Sequence, residues 1–168
     1  MDPAQLLQGR SRETTIRRDA QGRWFHDEQP LEHPSLTRAF DRWVEQAEDG
    51  RYCLKNDINW AYITLEGAPY FVRSLRLEPD GRVLVQLSND AQEPLRPETL
   101  RLGHDGALYC DVGAQRLPAR FDRHAALQLE PLLGEDERGV YVELQGARVR
   151  PAVVEDPLAR GAASGGRS

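Results

Sequence analysis

The feature that most constrains this chain is that it repeats itself. Gly22 and Gly106 each sit in a turn-like segment, DAQGR and HDGA. Each is followed by an apolar pair, Trp24-Phe25 or Leu108-Tyr109, and then by an aspartate, Asp27 or Asp111, at a constant offset of 84. Short extended pieces precede the turns, at 15–17 and 100–102. Each half is therefore expected to begin with a β-hairpin whose glycine supplies the positive φ of a tight turn.

A helix is expected next in each half. PSLTRAFDRWVEQA (34–47) places Leu36, Ala39, Phe40, Trp43, Val44 and Ala47 on one helical face, and Pro34 suits the first turn. In the second half Asp122 is a natural N-cap, and Ala125, Leu129, Leu132 and Leu133 form the apolar face. These positions match Leu36, Phe40, Trp43 and Val44 at an offset of 89, and Gly50/Gly139 and Tyr52/Tyr141 keep that offset. The step from 84 to 89 predicts five extra residues in the second hairpin, within GAQRLPARF. The identical triplets Phe40-Asp41-Arg42 and Phe121-Asp122-Arg123 would break one apolar face if aligned, so they are coincidental. Pro131 predicts a kink or an early end of the second helix.

Strands are expected near 51–55, 60–66, 70–78 and 82–88, with EPDGR (78–82) as a hairpin turn. The second helix is followed by one or two strands in VYVELQGARV. The fold class is α+β, built from internally duplicated hairpin–helix–antiparallel sheet units. The expected plan is a flexible N-terminus (1–13), a first unit (14–88), a linker (89–99), a second unit (100–151) and a disordered tail (152–168).

Charge and motifs narrow the function. The net charge of −5 argues against a nucleic-acid partner. No apolar run nears the roughly 20 residues of a membrane span, and the N-terminus lacks signal-peptide architecture, so a cytoplasmic location is expected. Cys53 and Cys110, with His26, His33, His104 and His124, show no metal-ligand spacing, and reduced, buried cysteines are expected. Phosphate-loop, hydrolase-elbow and zinc-protease motifs are absent, so no cofactor and no enzymatic activity is expected. A Cys110/His124 nucleophile pair lacks a third orienting group. With 21 arginines and one lysine, Lys55, any single arginine is weak evidence of function.

The order of motifs resembles domain of unknown function family 1285, a bacterial family. The residues that carry the likeness are I-R-R-D-A-Q-G-R-W-F-H (16–26), Pro30, Leu36, Phe40, D-G-R-Y-C-L (49–54) and L-E-G-A-P-Y-F-V (65–72), with a looser fit from Leu102 to Leu129. The resemblance implies an internally duplicated α+β protein whose second half is pleckstrin-homology-like. It also implies a nucleotide-like ligand between the halves and a role in signal transduction, with no established enzymatic activity. The chain departs from the family pattern at Lys55–Trp60, where members carry Thr-Pro and Glu-Lys. It departs again at Gly67, where an acidic residue is usual.

Asn56, Asp57, Asn59 and Trp60 form the densest polar cluster beside an expected sheet. They either contact a small ligand, the amides reading polar edges and Trp60 stacking, or form an Asx turn with Trp60 in the core. Glu66 orients a ligand or caps its turn. Arg73, Arg120 and Arg123 either hold the ligand's negative group, the last two near the start of the second helix, or pair with neighbouring carboxylates. The leading expectation is a binding or regulatory module for a small anionic, nucleotide-like ligand. The alternative is a protein-interaction module with a protein partner and no small ligand.

Overall fold

In a computed structural model, which describes residues 12–159, Gly22 and Gly106 hold φ of 93° and 82°. The two turns share one hydrogen-bond pattern. Asp19 N donates to Arg23 O and Gly22 N to Asp19 O, as Gly103 N does to Ala107 O and Gly106 N to Gly103 O. The offset is 84 throughout.

The chain divides into two units, 1–69 and 70–168. In the first, β1 (Arg17–Arg18), β2 (Trp24–His26) and β3 (Gln29–Leu31) form an antiparallel meander. Helix α1 (Pro34–Trp43) follows, then a second meander of β4 (Val44–Gln46), β5 (Tyr52–Lys55) and β6 (Trp60–Tyr62). A short strand β7 (Thr64–Leu65) returns to pair parallel with β1, giving the sheet order β3-β2-β1-β7.

The second unit opens with β8 (Tyr70–Leu77), β9 (Val83–Leu87) and β10 (Gln92–Pro94). It then runs through the same order of elements as the first: β11 (Arg101–Leu102), β12 (Leu108–Val112), β13 (Leu117–Phe121), helix α2 (Arg123–Leu129), β14 (Leu133–Asp136), β15 (Gly139–Leu144), β16 (Ala147–Val149) and β17 (Ala152–Val153). β17 pairs parallel with β11 as β7 does with β1, and β14-β15-β16 matches β4-β5-β6. β8 joins β13 in parallel, so this unit's main sheet runs β10-β9-β8-β13-β12-β11-β17. The architecture is α+β.

Several expectations shift. The first helix ends at Trp43 rather than reaching Ala47, because Val44–Gln46 pairs with β5, and Asp49-Gly50 is the hairpin turn between them. Leu133 likewise opens β14 instead of closing a helix. The second helix stops at Leu129 and passes into a 3-10 turn, Glu130–Leu132, around Pro131. Strands 70–77 and 83–87 belong to the second unit, and part of the expected linker is β10. Of the expected tail, 152–153 is strand, while 160–168 and residues 1–11 of the N-terminus lie outside the described residues. Leu54 faces Val44 and Val142 faces Leu133. β5 and β15 are therefore equivalent at an offset of 88, which matches Cys53, not Tyr52, to Tyr141.

Each unit has its own apolar core. In the first, Ile16, Trp24, Leu36, Phe40, Val44, Leu54, Ala61 and Ile63 pack together, with Trp24 edge-on to Phe40 at 5.2 Å. In the second, β8, β9, β12, β13 and α2 contribute Val72, Val85, Cys110, Phe121 and Leu129, with Val142 of β15. Each core also holds a buried arginine. Arg18 donates to Asp41 Oδ1 (2.9 Å) and to the carbonyls of Ala68 and Pro69 (2.7 Å each), and Trp24 Nε1 donates to the same Asp41 oxygen. Arg101 pairs with Asp111 at 2.9 Å and donates to the carbonyls of Thr99 and Pro157. The segments that carry the family likeness, 16–26 and 65–72, meet at Arg18. Gly67 lies so close to the backbone of Ala20 that a β-carbon there would stand 2.9 Å from Ala20 Cα.

Candidate functional site

The KNDINW segment is the β5–β6 connection. Asn56 Oδ1 accepts from the backbone N–H of Ile58 (2.9 Å) and Asn59 (2.8 Å), and Asn56 N donates to Asn59 O (3.0 Å). Asn59 Oδ1 accepts from Arg12 Nη1 at 2.5 Å and from Trp60 N at 3.0 Å. These two side chains build the Asx turn that was the alternative to a ligand contact. Asp57 is exposed on the turn, beside Ile58, which is 82% exposed. Trp60 is half-buried, edge-on to Tyr62 with ring centroids 5.0 Å apart, and the Arg12 guanidinium lies 4.7 Å from its ring.

The three arginines lie in the second unit. Arg73 sits at a bulge in β8, 3.7 Å from Asp122 and 5.0 Å from the Phe71 ring. Arg120, on β13, is 3.7 Å from Asp105. Arg123 is the first residue of α2 and is exposed. Asp122 caps that helix, its Oδ1 accepting from Ala125 N at 2.9 Å. Its carboxylate occupies the place where an external anion would meet the first-turn amides. Glu66 accepts from Arg17 at 2.8 Å, and Arg17 also pairs with Glu28.

A cleft of about 440 Å³ opens within the first unit, against the β4-β5-β6 meander. Val44, Leu54 and Ala61 turn to the core and are buried, so the alternation of strands sends Glu45, Cys53, Lys55, Trp60 and Tyr62 to the other face. Those five residues, with Gln46 and the turn 47–49, line the cleft. Cys53 is 3% exposed. Burial, with Glu45 beside it, raises its thiol above the ordinary cysteine range, so it is a protonated apolar contact and not a thiolate. The Tyr62 hydroxyl donates to Asp49 Oδ2 at 2.6 Å and holds that carboxyl below its usual range. The Arg51 guanidinium lies 3.7 Å from the Tyr62 ring and is bound by Glu13. Glu45, Glu48 and Asp49 face one lysine, Lys55, so the lining is net acidic.

Of the ligand contacts expected from the sequence (Asn56, Asp57, Asn59, Trp60, Arg73, Arg120 and Arg123), Trp60 alone lines this cleft. Glu45 and Glu48 are concealed in the sequence because Val44 and Ala47 continue the helical spacing of 34–43, whereas 44–46 is a strand. The signal that could have found them is the alternation around Val44, Leu54 and Ala61, which sends their strand neighbours to the opposite face of the sheet.

Elsewhere, burial pushes the Cys110 thiol up to about 12, which disfavours the thiolate that a Cys110/His124 pair would need. Both cysteines are free and buried. Among the described residues no group of three His, Cys, Asp or Glu is placed to hold a metal, and no helix is long and apolar enough to cross a membrane.

No protein-family model and no curated protein matches the chain in sequence. Two solved structures are similar in fold. One is a DUF1285 family protein from Silicibacter pomeroyi DSS-3, with a TM-score of 0.59 and 17% identity over 88% of this chain and 85% of that one. The other is a DUF1285 family protein from Shewanella baltica OS155, with a TM-score of 0.50 and 18% identity over 67% of this chain and 87% of that one. The shared fold agrees with the family resemblance carried by residues 16–72.

Proposed function

We propose, on the premise of a DUF1285-type fold, that this protein is a non-catalytic binding module whose ligand site is the first unit's cleft. The observation that carries the reading is the cleft itself. Its volume lies within the range of small-molecule sites, and it combines two aromatic rings, carboxylates and a protonated thiol on a β-sheet face. It adjoins the segment where the chain departs from the family pattern. The second unit is the weaker place for the anionic, nucleotide-like ligand that the resemblance implies, because Arg73 and Arg120 stand beside Asp122 and Asp105. A regulatory role would follow from occupancy of the cleft.

The backbone amides of Cys53, Lys55 and Tyr62 and the Trp60 indole make the test direct. A ligand in the cleft moves their NMR signals and leaves that of Cys110 unchanged. The same ligand at 100 times its Kd raises stability by about 2.7 kcal/mol in a thermal-shift assay. A metabolite panel in which thermal shifts occur without NMR shifts at these residues would place the ligand elsewhere. A protein partner is the second reading, favoured by Ile58 standing exposed at the tip of the β5–β6 turn. Ile58→Asp separates the two, since it disrupts a docking surface and leaves a ligand inside the cleft untouched.

A further inference from the structure

The second repeat shows what fills this face when nothing is left open. By strand register, Glu45 and Cys53 of the first meander correspond to Gly134 and Tyr141 of the second. Tyr141 lies over Gly134 so closely that a β-carbon on that glycine would stand 2.4 Å from the tyrosine ring. The guanidinium groups of Arg148 and Arg150 lie 4.4 and 5.6 Å from the ring centroid of Tyr141. Both pair with Asp136, Arg148 at 3.0 Å. The second repeat thus covers its sheet with an aromatic ring, two guanidiniums and a carboxylate.

The first repeat keeps the aromatic and acidic parts of this arrangement and lacks the filler. Cys53 is small where Tyr141 is large, and the cleft opens above it. Trp60 and Tyr62 supply rings, and each already attracts a guanidinium of the chain, Arg12 or Arg51, from outside the lining. The side-chain carboxylates of Glu45 and Glu48 form no hydrogen bond or ion pair with the described residues. The Cys53 thiol, in a residue only 3% exposed, makes no side-chain hydrogen bond with the described residues either, and it floors the cleft. Resting on the reading of the cleft as a ligand site, we propose that its ligand carries a guanidinium group, held by Glu45 and Glu48 against Trp60 and Tyr62. The ligand supplies from outside what Arg148 and Arg150 supply within the second repeat. A planar, weakly hydrated cation suits stacking on a ring and forked hydrogen bonding to carboxylates. A phosphate-bearing ligand would meet the acidic wall instead.

The test uses the whole protein and four arms read by amide and indole NMR shifts at Cys53, Lys55, Trp60 and Tyr62. Agmatine represents a free guanidinium metabolite, N-acetyl-arginine amide represents a peptide arginine, and N-acetyl-citrulline amide is the uncharged isostere. AMP serves as the anionic probe. Expected are saturable shifts with both guanidinium compounds, and binding at least about tenfold weaker for the citrulline compound. Whichever guanidinium compound binds tighter identifies the source. The double variant Glu45→Gln/Glu48→Gln weakens the guanidinium compounds by about tenfold, and Lys55→Glu strengthens them. Cys53→Tyr combined with Glu45→Gly, which copies the Tyr141/Gly134 pair of the second repeat, abolishes binding while circular dichroism stays unchanged. If that double variant fails to fold, the Glu45/Glu48 and Lys55 variants on exposed side chains decide alone. Equal binding of the citrulline compound, or AMP binding in the cleft where guanidiniums do not, overturns the ligand class and leaves the cleft standing. No shift at these four residues in any arm overturns both.

Discussion

At the scale of single residues, the strongest constraint on the first unit is Arg18. Its charge is satisfied by Asp41 and two carbonyls, and Trp24 shares the Asp41 oxygen. Removing one partner leaves the other buried and uncompensated. Arg18→Ala is therefore expected to cost about 3–5 kcal/mol in urea denaturation, and Asp41→Ala a similar amount. Replacing both by apolar residues of like volume should cost much less than the sum of the two. An additive double variant would show that the pair does not act as a unit. This residue was not legible in the sequence. Arg17-Arg18 looks like surface charge in a chain where arginine supplies nearly every cation, and burial depends on partners up to 51 residues away.

At the scale of elements, the β5–β6 turn separates a structural amide from a spectator. Asn56 holds two backbone N–H groups, so Asn56→Ala is expected to lower stability by about 1–2 kcal/mol. Asp57→Ala, on the exposed side of the same turn, should stay within about 0.5 kcal/mol of neutral in the same melts. Equal losses would mean that Asp57 has a role the turn does not explain. The turn was legible because clustered Asn and Asp have a short-range reason to bend a chain. The end of α1 was not. Val44 and Ala47 continue the helical spacing, and only pairing with β5 makes 44–46 a strand. β3, with Pro30 at its centre, and the two-residue strand β17 are too short for periodicity to reveal, and the single strand expected at 60–66 is split into β6 and the parallel β7. The acidic wall of the cleft was hidden by the same error that lengthened the helix.

At the scale of the whole molecule, many carboxylates titrate below their ordinary range. Arg51 lowers Glu13, the Tyr62 hydroxyl lowers Asp49, the backbone N–H of Arg82 lowers Asp80, and Arg150 lowers Asp136. In the unfolded chain these groups protonate near pH 4, before they do in the fold. Their contribution is thus present above that pH and is lost as pH falls through the depressed folded values. Thermal melts should be nearly flat from pH 8 to about 5 and fall steeply below about pH 4. Asp136→Asn should flatten part of that fall. A melting temperature that rose on acidification would contradict the sign.

The parallel return strands have a consequence in time. β7 pairs with β1, and Ala68 and Pro69 close on Arg18, so the first repeat is finished only by its own last residues. A nascent chain emerging from the ribosome carries Arg18 with Asp41 but without its two carbonyl acceptors until that closure arrives. Intermediate lengths have no complete core to settle into, and the loop-closure entropy must be met before the contacts reward it. Docking of the first repeat therefore comes late and all at once, when the Gly-Ala-Pro segment clears the exit tunnel. β17 imposes the same order of events on the second repeat.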